Sequence, residues 1–161
     1  MWVARAVLLG SILLHIGSAL RLYAMNTSAR PQRYQVKHDS ATNYAARTMM
    51  VSGPILLGFI LFHLAHLTFG VEMADYDFSH TDVYSNVVSS FSVPWVSFLY
   101  IISMLALGNH LFHGTWSMFQ SLGFNHSAYN KRIMRVALGI TLFVTLGNIS
   151  IPVAILAGIV R

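Results

Sequence analysis

The sequence predicts an all-α integral membrane protein, a single bundle of four transmembrane helices within residues 1–161, and three observations give that reading. The chain is 55% hydrophobic and only 9% charged, with a mean hydropathy of +0.60, a balance that an ordinary globular domain does not carry. Four apolar stretches, at about 2–24, 48–70, 93–119 and 133–160, each reach the roughly 20 residues that cross about 30 Å of hydrocarbon as a helix. The charges are also sorted by loop. Eight of the ten Lys/Arg residues (Arg21, Arg30, Arg33, Lys37, Arg47, Lys131, Arg132, Arg135) sit in or beside segments 25–47 and 120–132, whereas segment 71–92 carries Glu72, Asp75, Asp77 and Asp82 and no base.

By the positive-inside rule both basic loops face the cytoplasm, the acidic loop faces out, and both chain ends lie outside. The net charge of +5 is thereby explained by topology, with no need of nucleic acid as a partner.

The elements follow in order. The first run carries Arg5 near its start, and its apolar part is longer than the h-region of a signal peptide, so it is read as a mature helix. It ends near Asn26. A loop of about twenty residues follows, with Arg30-Pro31, Asp39 and Asn43, long enough to dock a partner. Gly70 stops the second helix, and Ser92-Val93-Pro94 starts the third, with proline tolerated in the first turn. Gly123 to Asn130 is a short polar turn into the fourth. Trp2, Trp95 and Trp116 stand towards helix ends, where an interfacial belt would place them.

The candidate functional residues are histidines. With no cysteine the chain holds neither a disulfide nor a thiolate-bound iron–sulfur cluster, so any redox centre needs other ligands. Of eight histidines, His38, His80 and His126 fall in loops; His15, His63, His66, His110 and His113 fall within the apolar runs. There a polar ring must find a partner, because hydrocarbon offers none. A bond between helices would suffice for a single histidine. Five of them, with only Arg5 and Arg135 as charges inside the runs and no carboxylate at mid-membrane, do not describe a proton or cation path. Haem b held by two imidazoles on facing helices needs only neutral histidines with small residues beside them, which this chain offers.

Depth selects the pair. At about 1.5 Å per residue, His15 and His113 both lie roughly 10 to 13 Å below the cytoplasmic surface and can share one iron. His63 lies in the opposite leaflet and cannot join them. Gly17 and Ser18 after His15, Gly114 after His113, and Gly108 five residues before it open room for a flat macrocycle. His110, one turn from His113 on the same face, is the main rival as ligand.

The segments His15-Ile16-Gly17-Ser18-Ala19-Leu20-Arg21, Ser52-Gly53 through Phe62-His63-Leu64, and His113-Gly114-Thr115-Trp116 carry a resemblance over nearly the whole chain. So does the stretch from Ala29-Arg30-Pro31 to Arg47-Thr48-Met49. The chain resembles the cytochrome b membrane anchor of succinate:quinone oxidoreductases, succinate dehydrogenase and fumarate reductase, of the single-polypeptide di-haem type. That family has five helices and four haem-ligating histidines, and the four helices here match its second to fifth.

The resemblance implies that His15 and His113 ligate the haem nearer the iron–sulfur subunit, and that His63 ligates the distal one. The second ligand of the distal haem is then expected outside this chain, in a segment supplying the first helix. It further implies a flavoprotein subunit that handles succinate and fumarate, an iron–sulfur subunit on the cytoplasmic face, and a membrane quinone, expected to be menaquinone. The setting is the respiratory chain of a bacterial cytoplasmic membrane, linked to the tricarboxylic acid cycle. This chain carries no dicarboxylate chemistry of its own.

A quinone headgroup needs a polar pocket at an interface, near a redox centre. Arg21, Trp116 and Gln120, with Ser18, form the expected cytoplasmic site. Glu72 and Asp75 offer an outer alternative, and Arg21 has competing roles as a positive-inside anchor or a haem-propionate partner. Two other readings compete for the chain. One is a di-haem cytochrome b of a hydrogenase or formate dehydrogenase, separable by co-purified partners; the other is a haem-free membrane protein, separable by a reduced-minus-oxidised optical spectrum.

Overall fold

The computed structural model describes residues 2–29, 43–71 and 78–161, with the side chains of 43–47 excepted. Among the described residues the regular structure is all helix, with α1 at Trp2–Ser28, α2 at Asn43–His63, α3 at Val83–Ser92, α4 at Pro94–Ser121 and α5 at Asn130–Leu156. A π-helical turn, Leu64–Thr68, extends α2. Among the described residues four helices are long and apolar enough to cross a membrane: Trp2–Ser28, Thr48–Leu67, Pro94–Ser121 and Asn130–Leu156. These match the expected runs within a few residues.

Residues Met1–His38 and Asp39–Arg161 form two compact units. The first is built on α1. Its apolar residues go all round the helix, Leu8, Leu9, Leu13 and Leu14 among them, which is the pattern of a span with no aqueous face. The helix runs on to Ser28, past the expected end, and the hydroxyls of Thr27 and Ser28 donate to the carbonyls of Tyr23 and Met25 in its last turn.

In the second unit α4 is the central helix, packed against α2 and α5. Its interior stripe is Val96, Ser97, Tyr100, Ser103, Met104, Gly108, Thr115 and Trp116, at helical spacing and rich in small residues. The facing stripe of α5 is Ala137, Thr141 and Thr145, one residue every four. Small side chains on both helices let the backbones approach closely, as membrane helices require when apolar burial supplies no drive. A Cβ added to Gly108 would stand 2.9 Å from Thr145 Oγ1, so that position takes only glycine without a shift. The expectation that Gly108 opens room for a macrocycle is corrected: it is a helix-packing residue. The outward faces are apolar instead, with Phe143 84% exposed.

Two helix ends differ from the sequence reading. The fourth span stops at Leu156, not 160, because Gly158 adopts φ 70°. The amides of Gly158 and Ile159 then bond back to the carbonyls of Ile155 and Ala154 at 2.9 Å, closing the end as a Schellman motif. Gly70, with φ 66°, closes the π-helical turn as expected, and a Cβ there would run into the Phe78 ring.

The acidic segment read as a loop contains α3, which the sequence reading missed. Asp82 caps it by accepting from the Ser85 amide at 2.9 Å. Val87, Val88 and Phe91 pack into the core cluster of Phe91, Val96, Tyr100 and Ile155. The joint to α4 is the single extended residue Val93, which the following Pro94 forces out of helical geometry. Ser97 Oγ donates to the Phe91 carbonyl at 2.6 Å across that joint. Tyr84 Oη donates to the Arg161 carbonyl at 2.8 Å, tying α3 to the chain end.

Candidate functional site

The histidines of α2 and α4 fall at two levels, and each level is tied across the two helices. Near the α3 end, Tyr100 on α4 meets both His63 and His66. Its Oη lies 3.3 Å from His63 Nδ1 and 3.2 Å from His66 Nδ1. The Tyr100 ring is walled by Phe59, Phe62 and Phe91, each edge-on, at centroid distances of 5.1, 5.8 and 4.7 Å. His66 is 0% exposed, whereas His63 is exposed on the surface of the α2–α5 unit. The π-helical turn begins immediately after His63, and such turns are frequent at functional sites because they re-aim side chains in an otherwise regular helix.

At the second level His110 Nδ1 lies 3.1 Å from Ser52 Oγ, and Ser52 Oγ also donates to the Met49 carbonyl at 3.2 Å. A serine hydroxyl has one proton. With that proton on the Met49 carbonyl, the serine oxygen accepts from His110 Nδ1–H. His113, half-buried, stands one turn nearer the Asn130 end. Gly114 beside it has open space where a Cβ would be, as have Gly53 and Gly58 on α2.

Counting along the helices, Ser52 to His63 and Tyr100 to His110 each give a separation of roughly 15 Å between levels. A single iron cannot bridge that, so His63 and His113 belong to different centres if both ligate. On α1, His15, Ser18 and Arg21 recur every three residues and form one slowly turning stripe; Gly17 there also has open space.

These features fit haem b in donor chemistry and room. The donors offered are imidazoles; at His63 one ring nitrogen is fixed by a polar partner, as ligating histidines usually are, and the ring is exposed on an apolar helix surface. The glycines next to His15 and His113 leave the space a macrocycle edge needs. Among the described residues no cluster of three or more His, Cys, Asp or Glu gathers as for a bare metal ion.

Of the expected quinone residues, Gln120 is half-buried at the Asn130 end of α4 and Arg21 lies exposed on α1. Trp116 is 7% exposed, which corrects its reading as a belt residue: it is an interior side chain. Trp2 and Trp95 are exposed, as a belt requires. The alternative carboxylates Glu72 and Asp75 lie outside the described residues, as do the loop residues Arg30, Arg33 and Lys37 and the side chain of Arg47.

Sequence reasoning missed Tyr100 and Ser52 as partners. Both signals were present, a tyrosine and a serine inside apolar runs, where a hydroxyl must find a partner.

The model of the succinate dehydrogenase/fumarate reductase transmembrane subunit matches residues 23–146. The matched range spans α2 to α4 and most of α5, with His63, His66, Tyr100, His110 and His113. No curated protein and no solved structure matches the chain. With four apolar spans and a family match over most of its length, the chain is a multi-pass membrane protein that belongs to the succinate dehydrogenase/fumarate reductase transmembrane subunit family.

Proposed function

We propose that the chain is the haem b-binding membrane anchor of a succinate:quinone oxidoreductase of the di-haem type. It carries electrons between an iron–sulfur subunit, itself joined to a flavoprotein subunit, and a membrane quinone of the menaquinone kind. The observation that carries this reading is the pair of imidazole levels, roughly 15 Å apart along α2 and α4, in a member of this family.

Haem b, when bound, supplies one-electron redox chemistry; the chain holds and tunes it. His15 and His113 supply the two ligands of one haem, and His63 supplies a ligand of the other. The Ser52 bond favours a second reading of the His110–His113 level, in which His110 takes the α4 position, because its Nδ1 is held by a polar partner. Arg21, Trp116 and Gln120 bind the quinone headgroup, with Trp116 and Gln120 towards the Asn130 end. That end, with Lys131, Arg132 and Arg135, faces the cytoplasm of a bacterial inner membrane, and both termini face out.

Purification of the assembled complex tests the reading. A reduced-minus-oxidised spectrum should show two haems b, with iron–sulfur and flavoprotein subunits co-purifying. A complex with no haem b spectrum contradicts it.

A further inference from the structure

We propose that Tyr100 is the positioning residue of the His63 level, its hydroxyl taking a hydrogen bond from His63 and handing one on to buried His66, and so raising the basicity of His63 towards the iron. The proposal rests on the reading of His63 as a haem ligand.

The geometry begins with proton counting. Tyr100 Oη is 3.3 Å from His63 Nδ1 and 3.2 Å from His66 Nδ1. A phenol has one proton, so it donates to at most one of the two rings and must accept from the other. An imidazole that gives Nε2 to iron keeps its hydrogen on Nδ1, so His63 is the ring that donates to Tyr100. With His66 in the tautomer that carries its hydrogen on Nε2, the hydroxyl proton is directed at His66 Nδ1, which accepts.

Two features make this arrangement more than a chance contact. The Tyr100 ring is locked by edge contacts to Phe59, Phe62 and Phe91, so the hydroxyl does not swing away. His66 is wholly buried, in surroundings where a hydrogen bond is electrostatically stronger and where linked bonds strengthen one another. A hydroxyl that donates onward is a better acceptor for His63 Nδ1–H. The ligand thereby gains imidazolate character, which favours ferric over ferrous iron.

The assembled complex is titrated redox-optically in wild type and in Tyr100→Phe, which keeps the ring and its packing and removes only the hydroxyl. The expected result is an upward shift in the midpoint potential of one haem, the same haem that is absent from His63→Ala, with the other unchanged. His66→Leu should shift that haem in the same direction by less, and His66→Gln, whose amide oxygen can accept from the hydroxyl, should move it back towards wild type. The double variant Tyr100→Phe/His66→Leu should shift no further than Tyr100→Phe alone, since His66 acts only through Tyr100.

Unchanged potentials in Tyr100→Phe, with the haem still lost in His63→Ala, overturn the proposal and leave the reading of His63 standing. Retention of both haems in His63→Ala overturns that reading itself. Additive shifts in the double variant overturn the passage through Tyr100 to His66.

Discussion

Ser52 on α2 and His110 on α4 are joined at 3.1 Å, Oγ to Nδ1, within the stretch where both helices are apolar. The bond links two helices that apolar burial alone does not hold together in lipid. Ser52→Ala should therefore lower the stability of the purified anchor by about 0.5–1.5 kcal/mol, the usual net value of one such hydrogen bond. Thermal or denaturant unfolding in detergent measures it. An unchanged midpoint shows that the bond carries no net stability.

Helices α4 and α5 approach closely at Gly108, where an added Cβ would stand 2.9 Å from Thr145 Oγ1 and 3.4 Å from Thr145 Cγ2. Gly108→Val should force the helices apart and destabilise the bundle by about 1–3 kcal/mol, the usual cost of overpacking. Gly108→Val combined with Thr145→Ala should recover much of the loss, since the clash is with that side chain. Independent, additive losses in the two variants contradict the close contact.

The quinone site separates by substitution. Variants of Trp116 and Gln120 should lose quinone reduction, roughly tenfold or more for loss of a pocket hydrogen bond to a polar headgroup, while succinate oxidation by an artificial acceptor continues. Trp116 is buried, so its variant also needs a check of assembly. If these variants keep quinone activity and Glu72 or Asp75 variants lose it, the quinone binds at the other end.

The spans were legible because hydrocarbon imposes a length and a composition that no soluble element imitates. The same uniformity hid α3: Asp82 followed by Val83, Val87, Val88 and Phe91 is a capped amphipathic helix, but its spacing is short and it sits among the polar residues of an acidic loop. The histidines were legible as a group, since polarity inside an apolar run demands a partner. Which atom answers each histidine was not, because that depends on helix rotation. One residue of rotation turns a side chain by about 100°, and it decides whether Tyr100 meets His63 or lipid. Gly108 shows the same limit from the other side: a glycine near a histidine reads equally as cofactor room or as helix contact, and only the facing Thr145 decides.

The central claim is that the chain holds two haems b at separate levels, and haem stoichiometry across histidine variants tests it most directly. Haem b is counted per assembled complex in wild type and in His15→Ala, His63→Ala, His110→Ala and His113→Ala, with the spectrum and midpoint potential of whichever haem remains. The account predicts two haems in wild type. His63→Ala should lose one, and His15→Ala should lose the other, shared with whichever of His113→Ala and His110→Ala removes the α4 ligand. Two haems retained in both His15→Ala and His63→Ala, at unchanged potentials, would contradict it.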